Sequence, residues 1–402
     1  MTQGKRYDFD KVIDRRGTDC LKYDFAVERG KPADVLPFWV ADMDFAVADE
    51  VKEALVQRVQ HGIFGYSDSK GGYFDAVAAW YRRNFNWQVQ PQWLVKTPGV
   101  VFALAMAVQA FTKAGDGVLI QRPVYYPFSQ VIEANGRRLV NSPLRFNGSR
   151  YEMDLADFER QITENNVKLF ILCSPHNPVG RVWSESELRA VGDICLRHGV
   201  IVVSDEIHAD FTWEGHRHRV FASLGQSYAD NCIVCTAPSK TFNLAGLQVS
   251  NIFIPNDKLR QRFLAAMDRA GYSQLNALGL VACEAAYTHG QQWLDQVRQY
   301  IYANIQFVEQ YFRQHIPQIK LVKPEGTYLL WLDCSSLEMT AAQRERWLLE
   351  IAGLWLDDGS MFGSEGNDFE RLNVACSRAT LQQGLDRLRD ACGALKLSAN
   401  EF

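Results

Sequence analysis

The chain has 402 residues, 47% hydrophobic and 22% charged, with a formal net charge of −4. That size and composition bury a sizeable core without disulfide staples and suggest two or three folding units of ~150 residues. The balance of charge gives no global basic field for nucleic acid, and no apolar run approaches the ~18–20 residues of a membrane span.

The first residues, MTQGKRYDFDKVIDRRG, are charged and lack the apolar stretch of a secretory signal. Nine cysteines lie scattered from Cys20 to Cys392 without framework spacing and read as reduced, buried thiols of a cytoplasmic protein. Residues 1–48, with Pro32 and Pro37, are expected to form an N-terminal arm and part of a small domain. From 49 to 289 strand-like runs alternate with amphipathic stretches. Expected strands are Gly117–Gln121, Val167–Cys173, Val200–Ser204, Cys232–Thr236 and Ser250–Ile254. A helix between two of them begins at Ser184, an N-cap with Glu187 three residues on, and ends at Gly199. This alternation predicts an α/β large domain with a mainly parallel sheet and helices on both faces. From 290 to 402 the pattern changes to a long amphipathic helix, Gln291–His315. Two strands, Tyr328–Leu332 and Arg371–Ala375, follow in a smaller α+β domain.

Several familiar motifs are absent: a Walker P-loop, a G-x-G-x-x-G fingerprint and a G-x-S-x-G elbow. Ser67-Asp68-Ser69-Lys70 matches S-x-x-K, but no K-T-G accompanies it. Cys232 and Cys235 have C-x-x-C spacing inside an apolar strand, where their thiols point to opposite faces; they read as structural. Asp205, Glu206, His208, His216 and His218 are metal-ligating types. His216 and His218, however, read as exposed loop residues beside Arg217 and Arg219, so no metal is expected.

Four segments stand at the ends of expected strands, where ligands bind in open α/β sheets. They are Ser174–Gly180 (SPHNPVG), Ser204–His208 (SDEIH), Ala237–Asn243 (APSKTFN) and Asn373–Arg378 (NVACSR). In that order they supply an amide, a carboxylate, a lysine amine and a guanidinium, the set needed to hold pyridoxal phosphate. A buried carboxylate such as Asp205 keeps the ring nitrogen protonated, and Lys240 can hold the aldehyde as a Schiff base. Asn177 can donate to the phenolic oxygen. The phosphate needs main-chain N–H groups at a helix start; Val100 and Val101, after Thr97-Pro98-Gly99, offer one, and Ser239 adds a hydroxyl. Tyr125 is the candidate stacking ring, and Arg378 a bidentate clamp for a substrate carboxylate.

With these motifs the chain resembles fold-type-I pyridoxal-phosphate enzymes of the class I/II aminotransferase superfamily. Within that group it is most similar to the cystathionine β-lyase branch of the PatB/MalY type. The resemblance runs through PFWVADMDF, Phe64-Gly65-Tyr66, SPHNPVGRVW, SDEIHADF and APSKTFNLAGLQ. It implies that Lys240, Asp205 and Tyr125 are catalytic, with Asn177 as phenolate donor and Arg378 on the α-carboxylate. It also implies a homodimer in which Tyr66 reaches the phosphate of the neighbouring subunit's cofactor. Two positions depart from the common transaminase pattern: Gln248 stands where many carry a phosphate-binding arginine, and His208 where many carry a tyrosine. Both substitutions resemble the lyase branch.

The implied reaction is β-elimination of L-cystathionine or a related cysteine S-conjugate to a thiol, pyruvate and ammonia. Transamination between an amino acid and a 2-oxo acid uses the same residues up to loss of the Cα proton, and residue types alone leave it open. A regulatory, partner-binding protein retaining the same fold is the alternative of another class. Trp39, Tyr328 and Met361 are further candidates for the substrate pocket.

Overall fold

A computed structural model describes residues 5–399. In chain order the strands are β1 (Leu36–Pro37), β2 (Leu94–Thr97), β3 (Gly117–Ile120), β4 (Arg138–Asn141), β5 (Arg145–Phe146), β6 (Tyr151–Glu152), β7 (Val167–Cys173), β8 (Ile201–Asp205), β9 (Cys232–Thr236), β10 (Ser250–Phe253), β11 (Lys320–Leu321), β12 (Leu329–Asp333), β13 (Leu354–Trp355), β14 (Asp357–Asp358) and β15 (Phe369–Asn373). Seven of them form one sheet in the order β2-β10-β9-β8-β7-β3-β4. Only β10 runs against its neighbours; the other pairings are parallel.

The strand sequences explain why this sheet lies inside. In β7 the side chains of Leu169, Ile171 and Cys173 pack on one face with the helix Val100–Phe111. Phe170 and Leu172 pack into the core on the other. Period-two alternation between two apolar layers gives the continuous hydrophobic runs of a doubly covered parallel sheet. Cys232 and Cys235 divide between the same two layers, as their spacing requires. The expected helix spans Glu185–His198, with the reciprocal Ser184–Glu187 capping box and Gly199 in the left-handed conformation at φ 65°. Strands β2 and β4 are four residues each and carry exposed or half-buried polar residues, so the apolar pattern did not reveal them.

A second, antiparallel sheet has the order β11-β12-β15-β14. Its strands β12 and β15 are offset by one and two residues from their expected positions. The arm joins this part of the molecule, because β1 pairs with β13. The helix Gln291–His315 forms as expected. No helix among the described residues is long and apolar enough to cross a membrane.

The loop after β7 is tied to the lead-in of β12. Gly180 has φ 71°, and a Cβ there would lie 3.2 Å from Pro324; its carbonyl accepts from the N–H groups of Glu325 and Gly326. Beside it the buried Arg181 guanidinium donates to Glu325 (2.8 Å) and Glu187 (2.8 Å) and to the Tyr151 carbonyl. Replacing Arg181 by Met leaves Glu325 buried without its charge partner. The Arg181→Met variant is therefore expected to lose about 3–5 kcal/mol of stability, read from urea unfolding curves.

Candidate active site

A cavity of about 210 Å³ lies where the C-terminal ends of the parallel strands meet the second sheet and the arm. The strand order places its parts. Strand β8 runs between β7 and β9, with Asp205 opposite Cys173 on one side and Cys235 on the other. Asp205 therefore sits at the centre of the cavity floor. Asn177, on the loop after β7, and Lys240, on the short helix Pro238–Thr241 after β9, flank it.

Burial sets the charges on this floor. The Asp205 carboxyl is pushed up to about 7 by loss of water, against the opposing effect of the Ile207 N–H at 3.2 Å and of Lys240. Among the described residues it forms no ion pair, and Lys240 acts on it only at longer range. The Lys240 amine is pulled down to about 8, chiefly by burial; Asp42 opposes this, while Arg371 reinforces it. Its Nζ donates to the Ala41 carbonyl at 2.6 Å.

Tyr125, Val100, Val101 and Ser239 line the same cavity. The Tyr125 N–H donates to the Asn177 carbonyl at 3.0 Å, which fixes the ring-bearing loop to the amide-bearing one. Gly99 precedes the helix Val100–Phe111 and offers no side-chain cap, so the first N–H groups stay open to an anion.

One expected residue is misplaced. Arg378 does not line the cavity; it begins the C-terminal helix, where its Nε donates to Asn304 Oδ1 at 2.8 Å and its guanidinium lies 4.3 Å from the Phe307 ring centroid. The guanidinium in the cavity is Arg371, on β15. Its Nη1 donates to Asn177 Oδ1 at 3.0 Å, and its Nη2 to the Trp39 carbonyl at 2.8 Å and to Asp357. Its Nε is buried with no partner among the described residues. The cavity therefore holds Arg371, and Arg378 stands outside it. The signal was available: an arginine inside an otherwise buried strand must be paired with something. Asp357 and Tyr126, also on the cavity wall, had no sequence signal of their own.

His208 is buried in the cavity wall, edge-on to Tyr328 at 6.0 Å, with Nδ1 unpartnered. Burial lowers it to about 3, so the ring is neutral. Gln248 is exposed and does not line the cavity; it has φ 49° after a short 3-10 turn. Tyr66 is fully exposed, in a surface hollow shared with Phe64 and residues 273–278. Of the pocket candidates, Trp39 lines the cavity; Tyr328 is buried behind it, its hydroxyl donating to the Ala41 carbonyl at 3.1 Å, and Met361 is exposed elsewhere.

The histidine cluster also differs from expectation. His216 is exposed, but His218 is buried with Nε2 2.8 Å from Glu206 Oε2, and Ser204 donates to the other Glu206 oxygen at 2.8 Å. No group of three metal-ligating side chains is arranged to hold an ion among the described residues.

These residues fit pyridoxal phosphate. A buried carboxylate without an ion-pair partner suits a protonated ring nitrogen, and an uncapped helix start suits a phosphate. Because Arg371 occupies Asn177 Oδ1, the amide nitrogen of Asn177 remains to donate to a phenolic oxygen. Residues 33–388 match the family model "Aminotransferase class I and II". The chain is 45% identical over 383 residues to cystathionine beta-lyase PatB of Bacillus subtilis (strain 168), covering 95% of this chain and 99% of that protein. It is 35% identical over 392 residues to protein MalY of Escherichia coli (strain K12), covering 97% and 100%. Among solved structures, cystalysin of Treponema denticola, which contains pyridoxal 5'-phosphate, superposes with a TM-score of 0.94 at 37% identity, covering 97% of this chain and all of that one.

The lowered Lys240 value has a direct consequence. Capture of pyridoxal phosphate by the apo-protein needs the neutral amine, which accumulates as pH rises through its pKa. The capture rate, followed by absorbance, is expected to rise with a midpoint of about 8 and then level off. A lysine at its ordinary value of 10.5 would give a rate still climbing above pH 10.

Proposed function

The chain belongs to the aminotransferase class I and II family, and from that membership we propose that it is a pyridoxal-phosphate-dependent carbon–sulfur β-lyase. It cleaves L-cystathionine or related cysteine S-conjugates to a thiol, pyruvate and ammonia. The observation that carries this reading is the convergence of Asn177, Asp205, Lys240 and Arg371 on one cavity in a chain whose full-length relatives include a named cystathionine β-lyase.

Pyridoxal phosphate, when bound, supplies an electron sink for the pair left on the substrate's Cα. Lys240 anchors it, Asp205 holds the proton on its ring nitrogen, Asn177 donates to its phenolic oxygen and Tyr125 covers its ring. The helix start at Val100 and Val101, with Ser239, takes its phosphate. Arg371 binds the substrate α-carboxylate, and its unpartnered Nε is the donor in reserve for that contact. Neutral His208 adds no competing charge to the wall. Lys240, once released from its anchoring role, is the general base: burial brings its amine down to about 8, so about a tenth is neutral at pH 7 and able to take the Cα proton, far more than for an ordinary lysine. The Cα–H bond breaks with the proton passing to Nζ, and the Cβ–S bond breaks with its pair leaving on sulfur. The released enamine takes up water and yields pyruvate and ammonia. From cystathionine the thiol is homocysteine.

The working unit is proposed to be a homodimer. The exposed apolar run Ile63-Phe64 beside fully exposed Tyr66 supports this reading, with Tyr66 completing the phosphate site of the neighbouring subunit. A reducing, cytoplasmic setting is supported by thiols that are buried and not joined in disulfides.

Purified protein with pyridoxal phosphate and L-cystathionine, without added keto acid, is expected to release thiol and pyruvate in equal amounts. Lys240→Ala abolishes both; turnover like that of the unmodified enzyme would refute the assignment. A second comparison separates the two arginines. Arg371→Ala is expected to lower kcat/KM by about 10²–10³-fold, whereas Arg378→Lys keeps it within about threefold.

A further inference from the structure

Four charged side chains line the cavity: Asp205, Lys240, Arg371 and Asp357. The proposed reaction employs the first three, and Asp357 is left over. It is buried, and its place in the sheet is fixed, because β14 and β15 pair with Asp357 directly opposite Arg371. One carboxylate oxygen accepts from Arg371 Nη2. The other has no donor among the described residues, although the side chain faces the cavity. That oxygen is open to the cavity and is not among the buried atoms left without a partner, so a ligand's N–H group can reach it. Tyr126, on the same wall, feels the Asp357 charge, and burial and that charge together hold its hydroxyl above the ordinary tyrosine value.

We propose that Asp357 determines the substrate's side-chain class: cysteine S-conjugates whose sulfur substituent is neutral or carries an ammonium are accepted, and those with a short carboxylate are rejected. The inference rests on the β-lyase reading for the reaction, and on the charges of the cavity for the preference. Arg371 can meet one α-carboxylate, and Asp357 already offsets its charge. With Lys240 committed to the cofactor, a second anion in the same low-dielectric space finds no free cation among the lining side chains and faces the open oxygen of Asp357. An ammonium finds its partner there. The far end of L-cystathionine carries an ammonium and a carboxylate. Exposed Arg29, its guanidinium 5.0 Å from the Trp39 ring centroid and its charge felt by Tyr126 on the cavity wall, gives that longer substrate's carboxylate a partner on the solvent side. The same rule makes dicarboxylic amino acids and 2-oxo acids poor ligands, which disfavours amino exchange with them.

The test uses the holoenzyme and measures binding before turnover. L-lysine, L-norleucine and L-2-aminoadipate have similar lengths, carry no leaving group and end in an ammonium, a methyl and a carboxylate. Calorimetric Kd values are expected in that order, with lysine at least about tenfold tighter than aminoadipate. In Asp357→Asn the lysine-to-aminoadipate ratio falls towards one. All three ligands share the α-carboxylate, so any loosening of Arg371 cancels in the ratio. Equal binding by the unmodified enzyme, or preference for aminoadipate, overturns the proposal even if the variant fails to retain cofactor. Turnover then separates the two readings, using S-aminoethyl-, S-ethyl- and S-carboxymethyl-L-cysteine. Leaving-group differences cancel when each variant rate is divided by that of the unmodified enzyme, and the aminoethyl substrate is expected to lose about tenfold relative to the carboxymethyl one. Thiol release with no charge preference sinks the role of Asp357 and leaves the lyase reading standing. The charge preference in binding, with no thiol from any conjugate, does the reverse.

Discussion

A guanidinium buried at the seam of two sheets organises this molecule. Arg371 is almost wholly removed from water, so its positive charge and its N–H groups have to be met within the protein. While Nε stays open, Nη1 and Nη2 are met from three stretches of chain: the Asn177 side chain from the loop after β7, Asp357 from β14, and the Trp39 carbonyl from the arm. Each contact closes one wall of the cavity. The site is therefore a property of the assembled fold, because no one of these stretches satisfies Arg371 alone. The same contacts orient Asn177, whose oxygen is committed to Arg371 and whose nitrogen is turned to the ligand side.

Removal of water tunes the chemistry of the site as well as its shape. Asp205 rises and Lys240 falls, to about 7 and about 8. An ordinary carboxylic acid and an ordinary lysine differ by more than six pH units; burial has brought these two nearly together. A proton can then reside on either side of the cavity floor at little cost. That suits a site where one group must keep a cofactor nitrogen protonated while the other must give up its proton to become a base. His208 is driven the opposite way from Asp205 by the same burial, which leaves it neutral beside two cations.

What the sequence disclosed followed from local rules, and what it hid followed from tertiary ones. Period-two apolar runs gave the strands that carry Asn177, Asp205 and Lys240, and the Ser184–Glu187 box gave a helix start to the residue. Asp205 and Lys240 stood out because a short polar segment directly follows a buried run. The choice between Arg371 and Arg378 depended on where β15 stops. Two residues of offset moved Arg371 from the first position of the expected strand to its middle, opposite Asp357, and Arg378 begins a helix. His218 looked like a loop residue among arginines until folding brought it against Glu206. Gln248 followed the lysine at a suggestive spacing, but in the fold it sits exposed in a left-handed turn and does not line the cavity. Backbone acceptors were the least legible, since a carbonyl has no letter in the sequence.

The arm shows what such acceptors do. Four successive carbonyls face functional or structural side chains: Trp39 accepts from Arg371, Val40 and Asp42 from Asn373, and Ala41 from Lys240 and Tyr328. The segment is pinned just beyond by Asp44, which binds Lys22 and Arg15. Lys240 thus rests on the arm rather than on its own sheet, and the arm in turn is bonded to β15. Residues proposed to hold the cofactor come from the ends of the parallel strands, whereas those that face the substrate come from the arm, β14 and β15. This division lets residues such as Asp357 change the accepted side chain while the Asp205–Lys240 floor is conserved in geometry and charge. Arg371 ties the two halves together, because it is bonded to Asn177 on the cofactor side and to Asp357 and the arm on the other.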